Sequence, residues 1–230
     1  MKRFWTEVTI EPVDGEFGIR LDGRPVKTPA RADLVLPNRA LANAVAAEWS
    51  AVAGEIDPRA MPLTGFANAA IDRVATGKEA FAADIARYGE SDLTCYRADG
   101  PDPLVARQAE SWDALQAWAR RRYDVDFTCV SGVIHQAQPE ETVAKLEQAV
   151  HALDPFRLAA LSPMVSIGGS LVAALAVVER ALPASEAWEA VSLDDRWQLE
   201  QWGADPEAQA RLDTRRDDFL AAARFLELLD

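Results

Sequence analysis

Histidine and cysteine are scarce in this chain, two of each among 230 residues. The four positions (His135, His151, Cys95, Cys129) are scattered. Metal centres need ligands at short, recognisable spacing, and disulfide frameworks need more cysteines. No Gly-x-x-x-x-Gly-Lys-Ser/Thr and no Gly-x-Gly-x-x-Gly occurs, so the usual backbone cradles for nucleotide phosphates are missing. Gly168-Gly169-Ser170 lacks the second glycine of a nucleophile elbow, and its expected role is close helix packing. Positive charge is in deficit: 24 Lys and Arg stand against 37 Asp and Glu, a net charge of -13. That disfavours nucleic acid and anionic membrane surfaces as partners. The opening Met1-Lys2-Arg3-Phe4-Trp5 has neither a signal-peptide apolar run nor the composition of a transit peptide. A cytoplasmic protein without cofactor or metal is expected.

Long apolar runs are also lacking, with one exception. From Leu158 to Val178 there is no charged residue, a length that could span a bilayer. Pro163, three serines and Gly168-Gly169 interrupt it, so a buried core helix is the better reading. Cys95 and Cys129 read as small buried apolar residues.

Tryptophan, in contrast, is plentiful, with seven residues, and apolar residues reach 49%. Without the side-chain sets that chemistry needs, such a composition favours a protein that acts by binding another protein. The charge is uneven. Residues 179–230 hold thirteen acidic and six basic side chains, whereas residues 1–37 hold six of each. The acidic quarter is either a solvated helix face or a surface that steers a basic partner.

The first 37 residues have β character. Phe4, Thr6, Val8 and Ile10 alternate with Trp5, Glu7 and Thr9. Asp14-Gly15 and Asp22-Gly23 are hairpin turn signals. Phe17–Leu21, Arg24–Lys27 and Leu34–Leu36 read as the returning strands. From Asn38, read as a helix cap, the period becomes helical. Leu41, Val45, Trp49 and Val52 form one stripe. An extended link through Ile56–Leu63 precedes helices from Thr64 to Gly77 and through Phe81, Ile85 and Tyr88. Gly100-Pro101-Asp102-Pro103 starts another helix, with Asp102 as cap and Gln108, Trp112 and Leu115 inward. Asp126–Val133 reads as a short strand, Pro139 starts a helix, and Asp205-Pro206 starts the last one.

Cys95 as a nucleophile would need a lowered thiol pKa and a histidine partner. Trp112 and Trp118 fit a core stripe. Trp188, Trp197 and Trp202 crowd one acidic stretch, where they serve either as core or as interface anchors.

Several strings taken together resemble a known family. They are Arg3-Phe4-Trp5, Leu21-Asp22-Gly23-Arg24-Pro25-Val26-Lys27-Thr28-Pro29, Glu48-Trp49, Ile56-Asp57-Pro58, Met61-Pro62-Leu63-Thr64 and Ala70-Ile71-Asp72. Later come Asp92-Leu93-Thr94-Cys95-Tyr96-Arg97-Ala98, Gln108 with Trp112-Asp113, Gly169-Ser170-Leu171 and Trp202-Gly203. In this order they resemble the assembly chaperones of the F-type ATP synthase catalytic sector, which bind its α subunit before it meets β.

The resemblance implies an α+β fold, with a small β-rich N-terminal domain and first helix over 1–60 and a mainly helical domain over 61–230. It implies no catalysis. It points to Glu200 as a functional residue and to Trp49 as a structural one. Trp188, Trp197 and Trp202, with the stretch from Pro163 to Leu182, become candidates for the surface that covers α. After Trp202-Gly203 the chain departs from the family's pattern, which continues with an apolar residue and an Ala-His pair. The rival readings are an enzyme with a Cys95- or carboxylate-based site and a general binding adaptor.

Overall fold

The computed structural model describes residues 2–132, 134–203 and 205–230. It has a small N-terminal sheet followed by a mostly helical remainder, the α+β class expected. Two compact units emerge. The first comprises the chain up to Lys78 with Asp154–Ala160 and Arg224–Asp230; the second comprises Glu79–Leu153 and Leu161–Ala223.

In the first unit, β1 (Val8–Val13) and β2 (Glu16–Leu21) form an antiparallel hairpin, and β3 (Arg24–Pro25) and β4 (Val35–Leu36) pair with the other side of β2. Both turns are as the sequence signals. Asp14-Gly15 has φ of 50° and 89°, and Asp22-Gly23 has 49° and 76°, values that a two-residue hairpin turn of this twist requires. The strand starts only at Val8, however, and the alternation through Phe4 does not hold. Trp5 is the buried ring and Phe4 is 61% exposed. Asp22 explains the change: its carboxylate accepts from the amides of Thr6 and Glu7 and bends the chain into the hairpin.

Helix α1 (Arg39–Ala51) is capped by Asn38, whose Oδ1 accepts from Leu41 N at 2.9 Å. Its buried stripe is Leu41, Ala42, Val45 and Trp49, and the Trp49 ring meets Trp5 edge-on at 5.3 Å. Beside Trp49, Glu48 turns to α2 (Pro62–Ala69). Its carboxylate accepts from Leu63 N, Thr64 N and Thr64 Oγ1 at 2.7–2.8 Å. A remote side chain thus satisfies the free first-turn donors of α2, which starts two residues before the expected Thr64 and runs into a π-helical segment, Ala70–Val74. Asp72 in that segment accepts from Thr28 Oγ1 and Ala30 N, holding the loop between β3 and β4. The late segments complete the unit: Phe225 is fully buried against Phe66 and Phe156, and Asn38 Nδ2 donates to Leu228 O.

The second unit holds α3 (Lys78–Ala86, apart from its first residue), α4 (Asp102–Tyr123) and α5 (Glu140–His151), followed by most of α6 (Pro155–Gly168) and all of α7 (Leu171–Val178). It also holds α8 (Ala184–Val191), α9 (Leu193–Trp202) and most of α10 (Pro206–Glu227). A parallel pair, β5 (Tyr96–Arg97) and β6 (Val130–Ser131), replaces the longer strand expected over Asp126–Val133, of which Val133 lies outside the described residues. Pro101 takes the cap position of α4, so Asp102 is its first residue and not its cap. The uncharged stretch is two helices. Gly169, at φ 70°, breaks it, and Ser170 caps α7 through Ala173 N. A side chain at Gly168 would press on Val191 at 3.2 Å, the close packing expected of this glycine pair. No helix among the described residues is long and apolar enough to cross a membrane.

One buried carboxylate organises this unit. Asp92 is fully buried and accepts from Thr94 N, Thr94 Oγ1, Ser170 Oγ and Val172 N at 2.8–3.0 Å. Burial pushes its carboxyl above the ordinary carboxylate range, against the opposing pull of those donors. The Asp92→Ala variant strands at least two buried backbone donors, each worth about 1–3 kcal/mol, and urea denaturation should show a loss of that size. The raised folded pKa sets the pH trend. Its stabilising contribution is fully present below the unfolded value of about 3.9 and is lost as pH rises through the folded value. The stability gap between wild type and Asp92→Asn should therefore narrow with rising pH. In the first unit, Glu48→Ala should lower stability by about 1–2 kcal/mol through loss of the α2 cap.

Candidate partner-binding site

Helix α8 is amphipathic: Ala187, Trp188, Ala190 and Val191 are buried. Trp188 is 3% exposed, with its ring 5.7 Å from Phe219. Helix α9 is different. Leu193 alone is buried, and the rest is polar or partly exposed. Such a helix needs polar anchors. Two carboxylates in its first turn, where the helix dipole favours negative charge, supply them. Asp194 Oδ1 accepts from Gln108 Nε2 at 2.8 Å, and Asp195 Oδ2 accepts from Arg215 Nη1 at 2.7 Å. Gln108 is 2% exposed and also accepts from Ala98 N. Arg215 also donates to Ile167 O and lies over the Trp188 ring.

The far end of α9 is presented outward. Trp202, its last residue, is 81% exposed, and Gly203 closes the helix at φ 90°. Glu200 is exposed and accepts from Arg107 Nη1 on α4 at 2.6 Å. The Arg107 guanidinium lies over the half-buried Trp197 ring, 4.8 Å from its centre. Trp197 and Glu200, three residues apart on one helix face, therefore hold one arginine between an indole and a carboxylate. Two clefts flank α9. One, of about 390 Å³, is lined by Leu199, Trp202, Gly203, Leu212 and Arg215 among others. The other, of about 360 Å³, shares Leu199 and Leu212 and is lined by Trp188 and Glu200.

All four candidates from the acidic stretch thus belong to one neighbourhood, in different roles. Trp202 is free, Glu200 and Trp197 are joined through Arg107, and Trp188 forms the floor of a cleft. The expected covering stretch from Pro163 to Leu182 does not join them as a surface. Leu171 to Val177 are all buried, because α7 is the interior of the unit. Sequence reasoning passed over Arg107, since nothing local marks a side chain whose partner lies 93 positions away. Cys95 is not placed as a catalytic nucleophile toward an outside substrate. It is 1% exposed, and burial together with the Asp92 charge pushes its thiol well above the ordinary range. Cys129 is exposed, contrary to the buried role expected. No group of three or more His, Cys, Asp or Glu among the described residues is placed to hold a metal.

Residues 2–120 match the family described as ATP12 chaperone protein. The chain belongs to that family. Its members are assembly chaperones of the F-type ATP synthase, the family whose strings the sequence carries, and membership implies a protein that is not an enzyme. The chain is 24% identical over 215 residues to the mitochondrial protein atp12 of Schizosaccharomyces pombe, covering 88% of this chain and 74% of the relative. The crystal structure of Atp12 from Paracoccus denitrificans is similar at 42% identity with a TM-score of 0.94, over 100% of this chain and 98% of that one. An Asp-to-Lys mutant of the Paracoccus protein is similar at 41% identity, with the same TM-score and coverage.

The Arg107–Glu200 pair is half exposed on both sides, and such pairs contribute below about 1 kcal/mol. Arg107→Ala should hold its denaturation midpoint nearly unchanged while altering the fluorescence of Trp197, which loses its stacked cation. Trp202→Ala should shift stability by no more than about 0.5 kcal/mol.

Proposed function

We propose that this chain binds the unassembled α subunit of the F-type ATP synthase in the cytoplasm, shields the apolar surface that α will present to β, and releases α to β. The observation that supports this most is the end of α9. An indole exposed over 81% of its surface ends the helix, two residues after Glu200 and on the other cleft, and the opposite end of that helix is tied down by Asp194 and Asp195. Trp is among the residue types enriched as interface anchors. An orphan α subunit would expose a large apolar patch, and such patches aggregate. A partner that occupies the patch lowers the free, aggregating fraction by mass action and needs no energy input. Competition from β for the same surface then supplies release.

Within this reading Trp202 inserts, Trp197 and Glu200 fix the rim through Arg107, and Trp188 supports the cleft from below. Trp49, packed on Trp5 in the first unit, is structural. The acidic surroundings act on association rate and partner choice more than on affinity.

Co-expression of α with this chain should keep α soluble. Glu200→Lys sets a second cation against Arg107 and should lower the recovered soluble α several-fold, with circular dichroism and the melting midpoint retained. Trp202→Ala should do the same. Normal protection of α by both variants would remove this face from the function. A pull-down in which α is not the main captured species would favour an adaptor of another kind.

A further inference from the structure

The two cysteines, 34 positions apart in sequence, are brought together by the β5–β6 pair. Cys95 immediately precedes β5 and Cys129 immediately precedes β6, and the strands run parallel with Tyr96 opposite Val130. The cysteines therefore stand at corresponding positions, one residue ahead of the first paired residues. Neighbouring strands are about 4.8 Å apart, inside the Cα separation of about 4.4–6.8 Å that a disulfide bridges. The side chains also converge. Gln116 Nε2, on α4, is 3.2 Å from Cys129 Sγ and 3.6 Å from Cys95 Sγ, so both sulfurs flank one amide nitrogen.

The pair is asymmetric in access. Both thiols are free, Cys129 is exposed, and Cys95 is 1% exposed. A small oxidant reaches the first and not the second. Burial, the Asp92 charge and the neighbouring Cys129 all raise the Cys95 thiol, so the first attack falls to Cys129. Metal binding has less support, because no third ligand of the usual types joins the two thiols among the described residues.

We propose that Cys129 and Cys95 form a reversible dithiol site that takes a low-molecular-weight disulfide of the glutathione class, with Cys129 as the attacking and Cys95 as the resolving sulfur. In the first step the Cys129 thiolate bonds to one sulfur of the small disulfide. The S–S bond breaks, and one small thiol leaves with the proton that Cys129 gave up. In the second step Cys95 Sγ bonds to Cys129 Sγ, the mixed disulfide breaks, and the second small thiol leaves with the Cys95 proton. The protein loses two electrons and two protons, and one small disulfide becomes two thiols. Disulfides of this transient kind are the ones found in reducing compartments. The resulting bridge closes a loop that contains all of α4, the helix that carries Arg107 and Gln108.

The test is incubation of the full chain with oxidised glutathione, followed by intact-mass measurement and thiol counting. The wild type should lose both thiols and two hydrogens in mass, retain no glutathionyl group, and recover both thiols with dithiothreitol. Cys95→Ser should stop with one glutathionyl group on Cys129. Cys129→Ser should lose its remaining thiol at least about tenfold more slowly, since the buried thiol is shielded. A wild-type protein that halts as a stable mixed disulfide would overturn the proposal. So would a Cys129→Ser variant whose Cys95 reacts at the wild-type rate. Should Cys95→Ser not fold, the wild-type mass and the exposed-site variant still decide. The readouts involve no α subunit, so the outcome is independent of the chaperone reading.

Discussion

The second unit depends on a carboxylate buried without a counter-charge. Asp92 accepts from four donors: Thr94 N and Oγ1 within the short turn before β5, and Ser170 Oγ and Val172 N, which join that turn to the start of α7. A charge moved out of water is tolerated only when such donors replace its hydration. That fixes where the turn sits relative to the start of α7. From the turn, Arg97 extends to α4. It donates to Thr94 O, pairs with Asp113 and lies over the ring of Trp112. Trp112 in turn donates to Ala190 O on α8, and Gln108 one turn earlier reaches Asp194 on α9. The start of α9, the helix that carries Glu200 and Trp202, is therefore held by a chain of polar contacts that begins at a residue far from it. The strings Asp92–Arg97, Gln108 and Trp112-Asp113, which carry the family resemblance, are the links of this chain.

Features whose physics is local were readable from the amino-acid order. Asp14-Gly15 and Asp22-Gly23 need positive φ and have it. Asn38 needs a free amide three residues on and finds Leu41 N. The stripe Leu41, Val45, Trp49 is buried as its spacing implies. Several of the failures share an origin, in that a distant group overrides a local pattern. Alternation put Phe4 on one face with Val8 and Ile10, but the strand starts only at Val8, the Asp22 carboxylate accepts from Thr6 N and Glu7 N, and Trp5 is the buried ring. The uncharged stretch over residues 158–178 was read as one buried helix, but Gly169 and the Ser170 cap divide it in two. Segments Asp154–Ala160 and Arg224–Asp230 join the first unit, and no linear pattern marks that.

The candidate site was legible in part, for the same reason. Trp188, Trp197, Trp202 and Glu200 stood out by residue type, but type alone left core and interface open. Position separates them. The apolar face of α8 takes Trp188 into the interior. Helix α9 has almost no apolar face, so its tryptophans have no interior to enter. Trp197 is partly covered by an arginine, and Trp202 by nothing described. Arg107 was invisible beforehand, because its meaning comes from two side chains on another helix.

The Arg107 clamp bears on how a binding face of this kind can be both specific and releasable. In the free chain the pair is half exposed and contributes little to stability. Covering it with a partner removes water from both charges, and each then depends on the other for compensation. On the proposed function, the gain from burying the Trp202 indole would be offset by desolvation of the Arg107–Glu200 pair, unless the partner brought its own hydrogen bonds to the rim. A partner with a matching polar rim would then bind better than a merely greasy surface, and the matched complex would stay short of irreversible. A lysine at position 200 would break this balance without touching the core, since it would leave two cations against one indole. On the proposed function, discrimination would rest with Glu200 and contact area with Trp202, two residues apart at the end of one helix.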